Sequence, residues 1–135
     1  IDGERERLVK GEKAHYNKRL KTTCYLVATS FLRCNSPYRR VYDAAREQYA
    51  TAVHDRDCVV CKAKAGEPLR DGHKHARANR KMIKVWLSHL WQRWRELEGL
   101  PTRSIYVIEK LGHTHYANPI EFGWKPLSQD SAETQ

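Results

Sequence analysis

The stretch at residues 73–101, HKHARANRKMIKVWLSHLWQRWRELEGLP, constrains the fold of this chain more than any other segment. Its apolar residues recur at steps of three and four, which is the period of one helical face: Ile83, Trp86, Leu87, Leu90, Trp94 and Leu97. Gly99 suits the left-handed position that follows a last helical turn, and Pro101 cannot continue a helix. The pattern therefore predicts one long amphipathic helix whose apolar stripe faces the core.

The first half of the same helix carries a cationic stripe. Five basic residues fall within three turns that contain no acidic residue, namely Lys74, Arg77, Arg80, Lys81 and Lys84. The 135-residue chain has a net charge of +9, and the excess lies in its first hundred residues. Such an excess favours polyanionic partners, of which nucleic acid is the commonest, although a cationic stripe can also be an ordinary solvated face.

Two shorter helices are predicted upstream. At residues 13–33 the apolar positions step by four, four, three and four along one face, as Tyr16, Leu20, Cys24, Val27 and Phe31. Ser36 is a good N-cap and Pro37 a natural first helical residue, so a second helix is predicted at 37–52. Its inner face would hold Tyr38, Val41, Ala45, Tyr49 and Ala52. The short connection favours an antiparallel hairpin of these two helices.

The predicted fold is all-α: a helical hairpin plus one long C-terminal helix, in a single domain at 1–125. Residues 1–12 read as a flexible N-terminal segment and 126–135 as a disordered tail. In the irregular arm after Pro101, residues 104–111 fit a short helix or a short strand equally well, and Ile120, Phe122 and Trp124 are expected to pack back on the helices. With no long apolar run and no signal peptide, we expect an intracellular, cytoplasmic protein that does not enter a membrane.

Residues 53–72 form a loop too long for a compact domain unless something other than a core holds it. His54, Cys58 and Cys61 form H-x3-C-x2-C, and His73 or His75 follows at the start of the long helix. Two thiolates and two imidazoles suit a tetrahedral structural zinc ion. Free thiols and a disulfide remain open, because C-x2-C also occurs in redox motifs. Cys24 and Cys34 are expected to be small buried hydrophobes, and His113 and His115 are weaker ligand candidates.

Three segments resemble a known family. They are GEKAHYNKRLKTT at 11–23, SPYRRVYD at 36–43, and HARANRK at 75–81 followed by MIKVWLSHLW. Their order and spacing over residues 3–95 are similar to the C-terminal domain of the insertion-sequence one-hundred-and-ten family of transposases, which are bridge-RNA-guided recombinases of prokaryotes. The resemblance implies a domain that binds donor or target DNA and guide RNA and works as an oligomer, with the acidic catalytic domain upstream.

The same resemblance implies a catalytic serine in a Ser-Gly loop shortly before the Asn17 helix. The sequence departs from the family here, because the corresponding place reads Asp2-Gly3 and no serine precedes Ser30. We therefore assign no nucleophile, and whether the chain takes part in catalysis stays open.

Three functions compete at this point. The first is a nucleic-acid-binding transposase domain, in which phosphates are contacted by Lys18, Arg19, Lys21, Arg39, Arg40, Lys74, Arg77, Arg80, Lys81 and Lys84. In this interpretation Trp91 and Tyr42 either stack on unpaired bases or, as we favour, serve the core. The second is a hydrolase or nuclease with a metal held by His54, Asp55, His73 and His75, which the closed ligand shell of two cysteines and two histidines disfavours. The third is a zinc-stapled interaction module whose long helix packs on a partner through Trp86, Trp91 and Trp94.

Overall fold

A computed structural model describes residues 9–102 and 118–127 of the chain. Within them the fold is all-α, as predicted: α1 at Lys18–Arg33, α2 at Arg39–Gln48, α3 at Asp71–Leu97, and a short 3₁₀ helix at Pro119–Phe122. Residues 1–8, most of the predicted tail, and the part of the arm that contains His113 and His115 lie outside the described residues. Among the described residues, no helix has the length and apolar character needed to cross a membrane.

The long helix is the shared partner of the other two, since both α1 and α2 pack against α3. It ends as the sequence predicts. Gly99 has a φ of +67°, and the Leu100 N–H donates to the Arg95 carbonyl at 2.8 Å. These contacts satisfy carbonyls that the last turn would otherwise leave unpaired.

The bounds of the two shorter helices differ from the predicted ones. The first helix begins at Lys18 rather than residue 13, since the Asn17 side chain accepts a hydrogen bond from the Leu20 N–H at 3.0 Å. The second extends over Arg39–Gln48 rather than 37–52; Tyr38 is its N-cap residue, without a side-chain capping bond, and the Ser36 hydroxyl accepts from the Tyr38 N–H at 3.4 Å in the turn before it.

The core lies where the three helices and the C-terminal arm meet. Its buried centre consists of Ala28, Tyr38, Met82 and Phe122. In the arm, Phe122 is buried against the Tyr38 ring at 4.8 Å between centroids and Trp124 is half-buried, as predicted, whereas Ile120 is exposed. The arm is therefore part of the packed domain at residues 118–127.

The core stripe of α3 is rotated from the predicted one. The buried residues are Ala78, Met82 and His89, whereas Trp94 and Leu97 are exposed at 65% and 71%. The prediction was wrong at the C-terminal end of the stripe because the spacing of apolar residues does not show which side chains find a partner in the fold. His89 can be buried because it forms a hydrogen bond with Tyr38, a contact that the sequence pattern does not show.

The inner face of α1 was also predicted too long. Tyr16 and Leu20 are exposed, while Ala28, Phe31 and Leu32 in the second half of the helix join the core. Only this half of α1 reaches the core cluster. On α2 the predicted inner face is correct: Tyr38 and Ala45 are buried and the other three predicted positions are half-buried.

Candidate metal centre and nucleic-acid surface

Two antiparallel backbone pairings shape the loop before α3. One closes around His54, whose N–H donates to the Glu67 carbonyl at 2.8 Å and whose carbonyl accepts from the Gly66 N–H at 2.7 Å. The other pairs Cys58 with Ala63, where the Cys58 N–H donates to the Ala63 carbonyl at 2.8 Å. Together these pairings bring side chains of the loop close to the first turn of α3.

Four side chains form the metal cluster, defined as His54, Cys58, Cys61 and His73. Each offers one ligand atom, and these four atoms lie within 4.8 Å of one another. The Nδ1 atom of His73 is 3.3 Å from the Cys61 sulfur and 3.8 Å from the Cys58 sulfur. The cluster thus joins the loop to the start of the longest helix, and it can hold a metal ion.

His54 is the strongest single indication of a cation. Its side chain is only 3% exposed, and its buried Nε2 atom has no hydrogen-bond partner among the described residues. A buried imidazole nitrogen without a partner is costly, and a metal ion would satisfy it. His54 belongs to the cluster whose ligand atoms converge, so the residues present fit a metal ion.

The two cysteines lead to the same conclusion. Burial and the neighbouring Cys58 raise the pKa of the Cys61 thiol, although the backbone N–H of Arg70 acts in the opposite direction. The Cys61 thiol, buried beside the half-buried Cys58, therefore resists forming a thiolate on its own. A divalent cation reverses this, because it binds the deprotonated sulfur directly.

The backbone of the C-x2-C turn is shaped for shared ligation. The Cys61 N–H points at the Cys58 sulfur at 3.5 Å, and Lys62 adopts a left-handed φ of +53°, which turns the chain back toward Ala63. Two cysteines and two histidines fill four positions around an ion and leave none open for substrate. The centre is therefore suited to hold structure rather than to catalyse.

His75 does not join the cluster. Its Nδ1 pairs with the Tyr42 hydroxyl at 2.7 Å and its Nε2 with the Asn79 side-chain amide at 3.0 Å, so both ring nitrogens are engaged between α2 and α3. The sequence left His73 and His75 open, and the structure places His73 at the site. Asp55, the acid of the hydrolase hypothesis, is exposed and outside the cluster.

All four cysteines are free of disulfides. Cys24 is half-buried, whereas Cys34 is exposed, so the prediction of a buried Cys34 was wrong. Cys34 follows the last residue of α1 as its C-cap, where the chain turns away from the core.

Several of the predicted phosphate-binding residues instead hold the helices together. Lys74 donates to the Ala50 carbonyl at 2.8 Å, and Lys81 donates to the Gln48 side chain at 2.8 Å. Arg39 donates to the Leu32 carbonyl at 3.1 Å, and Arg40 donates to the Glu121 carbonyl at 2.6 Å while its guanidinium lies 4.3 Å from the Phe122 ring centroid. These four side chains link neighbouring elements, and Arg40 and Lys81 are exposed to solvent as well.

The others lie on the surface. Arg80, Lys84, Lys18 and Arg19 are exposed, and Arg80 contacts only a carbonyl of its own helix, at 3.5 Å from Ala76. The two remaining cations lie over rings: Lys21 is 5.0 Å from the centroid of Tyr16, and Arg77 is 5.9 Å from that of Tyr49.

Two stretches of the chain contain no acidic residue, and they extend beyond the cationic stripe predicted at residues 74–84. Residues 13–42, which include α1, contain no Asp or Glu, and neither do residues 72–95, which form nearly all of α3. Because α1 and α3 pack together, the two stretches lie in one part of the molecule. Acidic residues just beyond the stretches pair with two of their cations, Arg39 with Asp43 and Arg93 with Glu96, whereas Lys18, Arg19, Arg80 and Lys84 form no ion pair within the described residues.

Sequence reasoning missed the exposure of Trp91. The side chain is 45% exposed rather than part of the core, and the Arg95 guanidinium lies 5.2 Å from its ring centroid. Tyr42, the other aromatic residue considered for stacking, is half-buried against the core, as favoured. The one sequence signal of this exposure was that Trp91 shares a helical face with the cations Arg80 and Lys84.

Comparison of the chain with protein-family models, with curated proteins and with solved structures found no match.

Proposed function

We propose that this chain is a zinc-stabilised nucleic-acid-binding domain of a DNA transposase or recombinase, which grips DNA or a guide RNA through the cationic surfaces of α1 and α3. The observation that carries the proposal is that Arg80 and Lys84 on α3 and Lys18 and Arg19 on α1 are exposed to solvent, within two sequence stretches that contain no acidic residue. Such side chains bind phosphates and position a duplex without reading its bases.

The metal in this proposal is zinc. Two thiolates with two imidazoles in tetrahedral arrangement are the usual donor set of structural zinc sites, and softer or harder ions prefer other sets. Zinc would fix the loop to the first turn of α3 and so fix the position of the cationic helix.

The role in transposition rests on the resemblance of residues 11–23, 36–43 and 75–91 to the recombinase family. The Asn17 of the first segment caps α1, which gives that residue a physical reason to stand before this helix. A homo-oligomer working in the cytoplasm of a prokaryote is part of the same proposal.

The test is binding of the zinc-loaded chain to labelled duplex DNA and to a structured RNA across a salt series. Affinity should fall steeply with salt, and the Arg80→Gln/Lys84→Gln double variant should weaken binding and flatten the slope by about two phosphate contacts. Lys64→Gln/Lys125→Gln is the control of equal charge, because both side chains are exposed and lie outside α1 and α3. No binding at low salt, or equal loss in both double variants, would contradict the proposal.

The metal is tested separately by elemental analysis of the purified chain. Cys61→Ser should lose the metal, whereas Cys24→Ser, a change of the same chemistry outside the cluster, should keep about one ion per chain. His75→Gln should also retain it, since the His75 nitrogens bond Tyr42 and Asn79.

A second candidate is the protein-interaction module. The observation that favours it is the exposed apolar end of α3, where Trp94 and Leu97 stand in solvent. In that case the chain should form a dimer that is insensitive to salt, and Trp94→Ser should disrupt it without changing nucleic-acid affinity. Sedimentation at several salt concentrations distinguishes the two candidates.

A further inference from the structure

One face of α3 combines cations with an exposed aromatic ring. Arg80, Lys84, Trp91 and Arg95 follow one another at steps of four, seven and four residues, which places them on the same side of the helix. At a rise of about 1.5 Å per residue they extend over about 22 Å. We call these four residues the outer face of α3.

The indole of Trp91 is held in place. The Arg95 guanidinium lies 5.2 Å from its ring centroid, and the Arg95 Nε–H also donates to the Pro101 carbonyl at 2.7 Å, just beyond the helix end. The guanidinium of Arg95 is therefore held by the turn that ends the helix, and it contacts the indole ring of Trp91 as well. A ring fixed in this way, with 45% of the residue still exposed, loses little side-chain freedom when a flat ligand stacks on it.

The neighbouring charges define what that flat ligand is. Arg80 and Lys84 are one helical turn apart, about 6 Å along the axis, and no acidic residue lies between 72 and 95. A ligand that is both flat and polyanionic along its length is a nucleic acid. Because the bases of a duplex are already stacked on both sides, the ring can be used only by unpaired bases.

This inference rests on the proposed nucleic-acid binding and specifies it: we propose that the outer face of α3 binds single-stranded nucleic acid. Trp91 provides the stacking platform, Arg80 and Lys84 contact phosphates, and Arg95 orients the ring. The face has room for several nucleotides, within the range used by single-strand-binding modules.

The experiment measures fluorescence anisotropy of the full zinc-loaded chain with labelled oligothymidylate, oligouridylate and duplex DNA of about 15 nucleotides or base pairs. Trp91→Leu should weaken single-strand binding about 5- to 150-fold while duplex affinity stays within about twofold. Trp91→Phe, which keeps a smaller ring, should fall between. Comparison of oligouridylate with oligodeoxyuridylate, which carry the same base, identifies the sugar that the face prefers.

Trp94→Leu is the matched control, because Trp94 is more exposed than Trp91 and, of these two tryptophans, Trp91 is the one that has an arginine over its ring in the described structure. It should bind single strands like the unaltered chain, and circular dichroism should show all variants equally helical. If Trp91→Leu leaves single-strand affinity unchanged, or lowers single-strand and duplex affinity equally, the inference is overturned. Duplex binding that persists in that case leaves the proposed function intact, whereas absence of all binding overturns both.

Discussion

At the residue scale, a polar group at the centre of the core decides how the arm is held. His89 is fully buried, and its Nδ1 lies 2.7 Å from the Tyr38 hydroxyl. The same hydroxyl oxygen accepts a hydrogen bond from the Trp124 Nε1–H of the C-terminal arm. Burial raises the pKa of Tyr38, and the Trp124 hydrogen bond opposes that shift, so the phenol stays neutral and can serve both partners.

Tyr38→Phe should therefore destabilise the fold by about 1–3 kcal/mol, because it leaves buried polar atoms of His89 and Trp124 without this partner. Tyr25→Phe is the matched control, since Tyr25 is exposed, and it should change stability by less than about 0.5 kcal/mol. Urea unfolding of the three proteins gives the comparison. Equal stability of Tyr38→Phe and the unaltered chain would show that the network does not hold the arm.

A second residue-scale effect depends on pH. The Arg46 guanidinium, 2.5 Å from the Asp71 carboxylate, lowers the pKa of Asp71. A carboxyl whose pKa is lower in the folded chain stabilises the fold above its unfolded pKa, near 4, and loses that contribution as the pH falls through the folded value.

Asp71→Asn should consequently lower the midpoint of urea unfolding at pH 7 by a small amount, because the pair lies at the surface. The difference between the two proteins should shrink as the pH approaches about 3. A difference that is constant over this range would assign the effect to something other than the ion pair.

At the element scale, the loop at residues 53–70 depends on the cluster. It buries few apolar side chains, chiefly Ala63 and Leu69. Its two backbone pairings consist of hydrogen bonds near the surface. The helices, by contrast, share the core around Met82. The start of α3 has its own ties to α2, through Arg46 to Asp71 and Lys74 to Ala50.

Removal of the metal by a chelator should therefore open the loop before it melts the helices. Amide hydrogen exchange should accelerate at His54, Cys58 and Gly66, whose N–H groups bond within the loop, and change little around Met82. Re-addition of zinc should restore protection. Uniform loss of protection along the whole chain would instead mean that loop and helices unfold as one unit.

At the scale of the whole molecule, the parts that could be predicted from the sequence are those fixed by local rules. The three α-helices of residues 9–102, the stop at Gly99 and the inner face predicted for α2 follow from periodicity and capping. The convergence of His54, Cys58 and Cys61 with a histidine at the start of α3 follows from ligand types and spacing around a loop that lacks a core. These features need no knowledge of distant partners.

The remainder depended on tertiary contacts. His89 is buried because Tyr38 lies opposite it, and His75 is turned away from the cluster because Tyr42 and Asn79 occupy its nitrogens. Lys74 and Lys81 donate hydrogen bonds to Ala50 and Gln48, just beyond and at the end of α2, which the sequence pattern does not show either. Trp91 was expected to serve the core. It is exposed instead, because the buried residues of α3 lie on another face of the helix.

In our proposal a zinc ion joins the loop at residues 53–70 to the helix that carries the cationic face. X-ray absorption at the zinc edge of the purified chain identifies the atoms that bind this ion. We expect two sulfur neighbours at about 2.3 Å and two nitrogen neighbours at about 2.0–2.1 Å, with one zinc per chain. The spectrum of Cys24→Ser should be unchanged, because Cys24 lies outside the cluster. A folded chain that contains no zinc, or a first shell of oxygen atoms only, would contradict the account.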